Sequence, residues 1–117
     1  MKIFVYGSLM RGEGNHFLLN DGLSTYIGPA ITKRGFTLYD LGGFPGVVEE
    51  GNNAIMGEIY EISSLTLSRL DQLEGHPQFY RRKYIELQSE IQIEAYVLDL
   101  HFVQGCPIIK SGDWRIK

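Results

Sequence analysis

Hydrophobic positions along this chain come in short bursts separated by glycine and polar residues. Residues 2–6, Lys-Ile-Phe-Val-Tyr, are β-branched and aromatic and stop at Gly7, the pattern of a short buried strand running into a turn. A polar loop follows, Gly7-Ser8-Leu9-Met10-Arg11-Gly12-Glu13-Gly14. Asn15 is then placed to cap a short helix carrying Phe17, Leu18 and Leu19, which Gly22 would end. Further strands are predicted over 24–32, 35–40 and 55–62, with a glycine-rich elbow, Gly42-Gly43-Phe44-Pro45-Gly46, between the second and third. The clearest helix spans 64–74. Ser64 is its predicted N-cap, Leu67, Leu70 and Leu73 recur on one face, and Gly75 with Pro77 ends it. Alternation returns over 81–87 and 91–98, where Ile91, Ile93, Ala95 and Val97 share a face and Gln88-Ser89-Glu90 forms the hairpin turn. The remainder reads as an irregular tail. One clear helix among about six or seven short strands predicts an α+β domain with a strongly curled or closed sheet, not an alternating βαβ arrangement.

Composition narrows the function classes. At 117 residues the chain fills one domain, 1–117, and leaves no room for a second. Hydrophobic residues make up 44%, normal for a folded globular protein. Eleven Lys and Arg against 14 Asp and Glu give a net charge of -3, so the basic footprint of a nucleic-acid binder is missing. No stretch approaches the ~18 apolar residues of a membrane span, and the N-terminal run turns polar too early for a signal-peptide core. These features predict a cytoplasmic protein with neither nucleic acid nor membrane as partner. Cys106 stands alone and cannot form an internal disulfide, in keeping with a reducing compartment.

Several familiar chemistries fail on spacing. Gly7-x-x-x-x-Gly12 follows a strand, but Glu13 and Gly14 stand where a phosphate loop needs Lys and Ser or Thr. No G-x-G-x-x-G opens a helix, so no nucleotide cofactor is predicted. His16, His76 and His101 are scattered without ligand spacing, and no metal is predicted. Ser8 lacks the nucleophile elbow, since Tyr6 and Met10 replace the required glycines, and its hydroxyl is more simply a turn hydrogen-bonder. Cys106-Pro107 lies in the tail with no histidine at a motif spacing, a weak basis for thiol chemistry.

Two features remain. Successive backbone N–H groups of Gly7, Ser8 and Leu9 can form a nest for an anion or oxyanion. Glu74 sits in the last turn of the predicted helix, where unpaired carbonyls disfavour its charged form, and Phe79 and Tyr80 are near enough in sequence to help desolvate it. A carboxyl raised in this way serves as a general base near neutral pH; the alternative is a solvated glutamate at a frayed helix end.

Phe4-Val5-Tyr6-Gly7-Ser8-Leu9, then Arg11-Gly12 and Asn15-His16, together with Leu70-Asp71-x-Leu73-Glu74-Gly75-x-Pro77-x-x-Tyr80-x-Arg82, resemble the γ-glutamylcyclotransferase-like superfamily, in particular its γ-glutamylamine cyclotransferase and AIG2-like branch. The closing Ser111-Gly112-Asp113-Trp114 resembles the ending of its small bacterial members. The resemblance implies a compact mixed β-barrel in which the loop of Tyr6, Gly7, Ser8 and Leu9 lines a substrate pocket and Glu74 stands across it as the catalytic glutamate. It also implies a cofactor-free reaction on a small γ-glutamyl compound, releasing an amine and 5-oxoproline. Tyr80 and Arg82 follow Glu74, and alternation puts both on one face, so both are candidate substrate contacts, with a solvated strand-edge charge as the alternative for Arg82. The turn from Gly43 to Gly46 is a lesser candidate for a pocket wall, and Trp114 is expected to pack the tail. A binding module on the same fold, recognising a ligand amine without turning it over, is the competing expectation.

Overall fold

Why the central strand is so apolar becomes clear from its neighbours. In the computed structural model, which describes all 117 residues, β1 (Lys2–Val5) lies in the middle of a five-stranded sheet, and Ile3, Phe4 and Val5 are all buried because both of its faces are covered. The other strands are β2 (Thr25–Ile31), β3 (Phe36–Asp40), β4 (Pro45–Asn53), β5 (Met56–Glu61), β6 (Arg81–Glu86) and β7 (Gln92–Val97), with a single α-helix, α1 (Ser64–Glu74). The large sheet has the order β2-β5-β1-β7-β6, and β3 and β4 form a separate hairpin. β1 runs parallel to β7 with Phe4 opposite Ala95, and antiparallel to β5 with Phe4 opposite Ile59, so the sheet is mixed.

The sheet curls. Its two ends meet at one bridge, Thr32 opposite Leu87, flanked by hydrogen bonds from Lys33 N–H to the Glu86 carbonyl (3.0 Å) and from Gln88 N–H to the Ile31 carbonyl (2.9 Å). No continuous ladder closes it into a barrel. The β3–β4 hairpin is tied on by Leu98 N–H donating to the Val47 carbonyl (2.8 Å), and the C-terminal segment by Ile109 N–H donating to the Leu38 carbonyl (2.8 Å). No helix is long and apolar enough to cross a membrane.

Several local expectations change. The N-cap of α1 is Ser63, not Ser64: only Ser63 has the extended backbone a cap needs, and its hydroxyl accepts from Thr66 N–H (3.1 Å). Gly75, left-handed at φ 65°, ends the helix as expected. Leu70 is fully buried and Leu67 half-buried, but Leu73 is exposed. Asn15 makes no side-chain cap; a 3₁₀ turn, His16–Leu18, follows it, and its amide donates instead to Ser8 Oγ (2.9 Å). Ile91 lies outside β7 and is exposed, while Ile93, Ala95 and Val97 are buried. The tail is more regular than expected, with a 3₁₀ turn at Leu100–Val103 and with Ile109 and Trp114 buried.

β4 was missed in the sequence. Only Val47 and Val48 carry strand character in a run otherwise made of Pro, Gly, Glu and Asn, and the pairing with β3 supplies what propensity does not. Pro45 is tolerated as the first residue, and Gly51 (φ 106°) occupies the register shift where Phe36 pairs with Asn53 but Thr37 with Val48.

Candidate active site

Where β1 ends, the chain must turn beneath the β4 segment, and the contact is too close for a side chain. A Cβ on Gly7 would lie 2.4 Å from Cγ of Pro45, so only glycine lets the loop seat against that ring. On either side of this contact a buried tyrosine holds the layers together. The Tyr6 hydroxyl donates to the Tyr96 carbonyl (2.6 Å) and accepts from Val47 N–H (3.3 Å), and the Tyr80 hydroxyl donates to the Pro45 carbonyl. Both phenols are therefore engaged by backbone, and burial, reinforced by the neighbouring Glu74 carboxylate, holds both well above their ordinary pKa.

Between these layers lies a cavity of about 300 Å³. Tyr6, Gly7, Ser8 and Leu9 form one wall, Phe44 and Pro45 a second, and Leu73, Glu74, Phe79 and Tyr80 a third. The sequence motifs around residues 6 and 74 thus line the same concavity. Glu74 is half-buried in it, and its carboxyl is raised from 4.5 to about 7. Burial is the cause, the desolvation expected beside Phe79 and Tyr80, which line the cavity with it; at the helix end also expected to act, the Asp71, Gln72 and Glu74 carbonyls accept from His76 N–H (3.0 Å), Gly75 N–H (3.3 Å) and Tyr80 N–H (3.3 Å).

The loop presents donors. Its carbonyls are taken, Gly7 by Met10 N–H (3.0 Å), Ser8 by Asn15 N–H (2.9 Å) and Leu9 by His16 Nδ1 (3.0 Å), whereas the N–H groups of Gly7, Ser8 and Leu9 donate to no protein acceptor. Three successive unbonded N–H groups beside a cavity are a partial positive charge fixed in place. The loop's outer limb is pinned by a buried carboxylate. Glu58 accepts from Arg11 N–H (2.9 Å) and from the Tyr60 hydroxyl (2.9 Å), and Arg115 reaches it at 3.5 Å from the C-terminal segment.

Arg82 does not reach the cavity. β6 starts at Arg81, so Tyr80 belongs to the preceding turn and the expected shared face does not form. Its guanidinium donates to Asp71 Oδ1 (2.8 Å) and Glu94 Oε2 (3.0 Å), neither a solvated charge nor a pocket contact. Asp71 Oδ1 also accepts from the Tyr96 hydroxyl (2.6 Å), so one carboxylate fastens the end of α1 to β6 and β7 and fixes Glu74 one turn later. Gly43 and Gly46 are not on the wall, although Phe44 and Pro45 between them are. Trp114 is buried in the tail away from the cavity, and Cys106 is half-buried and likewise off the wall. His16 binds the loop, His76 Nδ1 accepts from Arg82 N–H (3.2 Å), His101 stacks on Phe102, and no group of acidic, Cys and His side chains is arranged to hold a metal.

Sequence reasoning overlooked Phe4, Val5, Asn15, Leu73 and Tyr96 as wall residues, and Phe79, expected only to desolvate Glu74, lines the cavity as well. Tyr96 had a signal: it falls on the face of β7 opposite Ile93, Ala95 and Val97, yet is itself an aromatic residue.

This α+β fold, with a half-buried carboxyl and a donor loop lining one cavity, can be compared with known proteins. Residues 3–116 match the family described as Gamma-glutamyl cyclotransferase, AIG2-like, and the chain belongs to that family. A relative from Methanocaldococcus jannaschii is 42% identical, covering 97% of this chain and 94% of its own length. The Escherichia coli K12 protein YtfP, a gamma-glutamylcyclotransferase family protein, is 38% identical over 97% of this chain and 96% of its own. The crystal structure of a mouse AIG2-like protein matches with a TM-score of 0.80 at 27% identity, covering 93% of this chain and 85% of that one.

Proposed function

We propose that the protein is a γ-glutamylamine cyclotransferase that cleaves the amide of a small γ-glutamyl compound and closes the glutamyl half into 5-oxoproline, with Glu74 as its acid and base. The observation that carries this reading is a carboxyl at about 7 on the wall of the same cavity as three unbonded N–H groups. Membership of the family supports the reaction type.

The substrate supplies its own nucleophile. Its α-amine is tethered at the distance of a five-membered ring from the γ-carbonyl, and such tethering supplies about 7 kcal/mol or more when well oriented. Glu74 takes a proton from the α-ammonium; the freed amine attacks the γ-carbon, and the carbonyl electrons move to oxygen. The N–H groups of Gly7, Ser8 and Leu9 stabilise that oxyanion or hold the substrate carboxylate. Collapse breaks the bond to the departing nitrogen, which Glu74 protonates. Two protons leave the α-nitrogen on its way from ammonium to lactam, and two reach the departing amine, which leaves as an ammonium ion. A carboxyl with pKa near the working pH suits both transfers. Tyr6 and Tyr80, their hydroxyls committed to carbonyls, serve as walls and supports.

Incubating the protein with γ-glutamyl amines, γ-glutamyl amino acids and ε-(γ-glutamyl)lysine while following 5-oxoproline tests the reading. Product formation supports it. Saturable binding without product would assign the cavity to ligand recognition instead.

A further inference from the structure

We infer that Glu58 and Arg115 are positioning residues for the donor turn: from outside the cavity they grip the N–H and the carbonyl of Arg11, two residues past Leu9, and so set where the N–H groups of Gly7, Ser8 and Leu9 stand. The inference rests on the cyclotransferase reading and adds two residues to its machinery.

A carboxylate in the interior of a strand is costly unless its oxygens are paired. Glu58 lies on β5 opposite Val5, the last residue of β1, and is 6% exposed. Its Oε1 accepts from Arg11 N–H (2.9 Å) and from the Tyr60 hydroxyl (2.9 Å), and its Oε2 faces Arg115 Nη1 at 3.5 Å. Arg115 completes the grip, donating through Nη2 to the Arg11 carbonyl, while its Nε lies 3.8 Å from Glu13. The Arg11 guanidinium is held too, over the Tyr26 ring at 4.5 Å, and Tyr26 packs on Tyr60 at 5.4 Å. One residue of the loop is thus fixed by backbone and by side chain.

Little slack separates Arg11 from the donors. Met10 is buried, and its N–H bonds the Gly7 carbonyl (3.0 Å), so a shift at residue 11 passes into the turn. Arg115 is itself firmly seated. Met56 N–H donates to the Gly112 carbonyl (2.9 Å), Arg115 N–H to Asp113 Oδ1 (2.9 Å), and Trp114 is buried. The C-terminal segment therefore carries its cation to the loop from the start of β5. Neither Glu58 nor Arg115 lines the cavity, so both act through the turn and not on substrate. Arg82, with Asp71 and Glu94, does the equivalent for the end of α1. One ionic cluster places the carboxyl of Glu74 and a separate one places the donors.

The test is Arg115→Ala, read by the backbone amide NMR signals of Gly7, Ser8 and Leu9 and by kcat/KM for the best γ-glutamyl amide. Arg115 is exposed, and an ion pair with an exposed partner adds little to global stability, so the variant should fold. The three signals should shift, and kcat/KM should fall by about tenfold or more, since a misplacement of about 1 Å costs on the order of 100-fold. The pH limb that Glu74 sets near 7 should keep its midpoint, because the other cluster holds α1. Combining Glu58→Gln with Arg115→Ala should cost little more than the worse single variant, because both act on one residue of the loop. Signals left in place, a smaller fall, a displaced limb or losses that multiply would each overturn the inference while leaving the cyclotransferase reading standing. If the parent turns over no γ-glutamyl amide, the cyclotransferase reading fails and the signals alone decide: shifted, they uphold the positioning of the turn, and unshifted, they remove it.

Discussion

Replacing Glu74 by Gln separates the electrostatic cost of this carboxylate from its chemistry. In the unfolded chain the group titrates near its ordinary value of 4.5, and in the fold near 7. Between those values the folded state holds a proton that the unfolded state has lost, so stability falls as pH rises through that window and the cost is complete above it. At about 1.4 kcal/mol for each tenfold change in a protonation equilibrium, the full cost is about 3 kcal/mol; water entering an open cavity screens part of it, leaving about 1–3 kcal/mol. Glu74→Gln carries no such cost. Parent and variant should be nearly equal in urea unfolding at about pH 5, and the variant should be the more stable by that amount at about pH 8.5. Turnover of the best γ-glutamyl amide should move the other way, falling roughly 100-fold or more because Gln cannot accept the proton. In the parent, kcat/KM should rise with pH through a limb near 7 that the variant lacks. Parallel stability curves would refute the buried-carboxylate argument, and near-parental turnover by a folded Glu74→Gln protein would refute its role as base.

Other expectations follow from the same geometry. Gly7→Ala drives a methyl group into the stiff Pro45 ring and should cost about 1–3 kcal/mol in urea unfolding, with turnover falling as the donor loop shifts; a neutral effect on both would show that the loop can relax. Arg82→Ala strips a cation from Asp71 and Glu94 and loosens the end of α1, so kcat should drop more than KM rises, whereas a rise in KM alone would point to direct substrate contact. Chelator treatment and dialysis should leave 5-oxoproline formation unchanged; loss restored by zinc or magnesium would reverse the reading of the histidines.

How far the sequence carried depends on whether a feature is local. The bounds of α1, the turn at Gly7 and the hairpin at 88–90 rest on capping, glycine and alternation within a few residues, and all are visible in the chain. β4 rests on its ladder with β3, and nothing in Glu49-Glu50-Gly51-Asn52-Asn53 announces a strand. In the site, the motifs around Tyr6 and Glu74 were legible because each is contiguous. Arg82 was misplaced because alternation was extended back across the start of β6, and its partner Glu94 lies on another strand. Of the two causes expected for a raised Glu74, desolvation beside Phe79 and Tyr80 is the one that acts in the fold, and it was legible because those aromatics lie within six residues of it.

The Gly7–Pro45 contact also restricts how the cavity can change over evolutionary time. A side chain at position 7 collides with the ring at 45. Losing the ring first removes the side chain against which the Gly7 turn seats, so either single step is expected to disturb that contact. The two positions are expected to travel as a linked pair, and a library meant to reshape this wall will reach new shapes only if codons 7 and 45 are varied together.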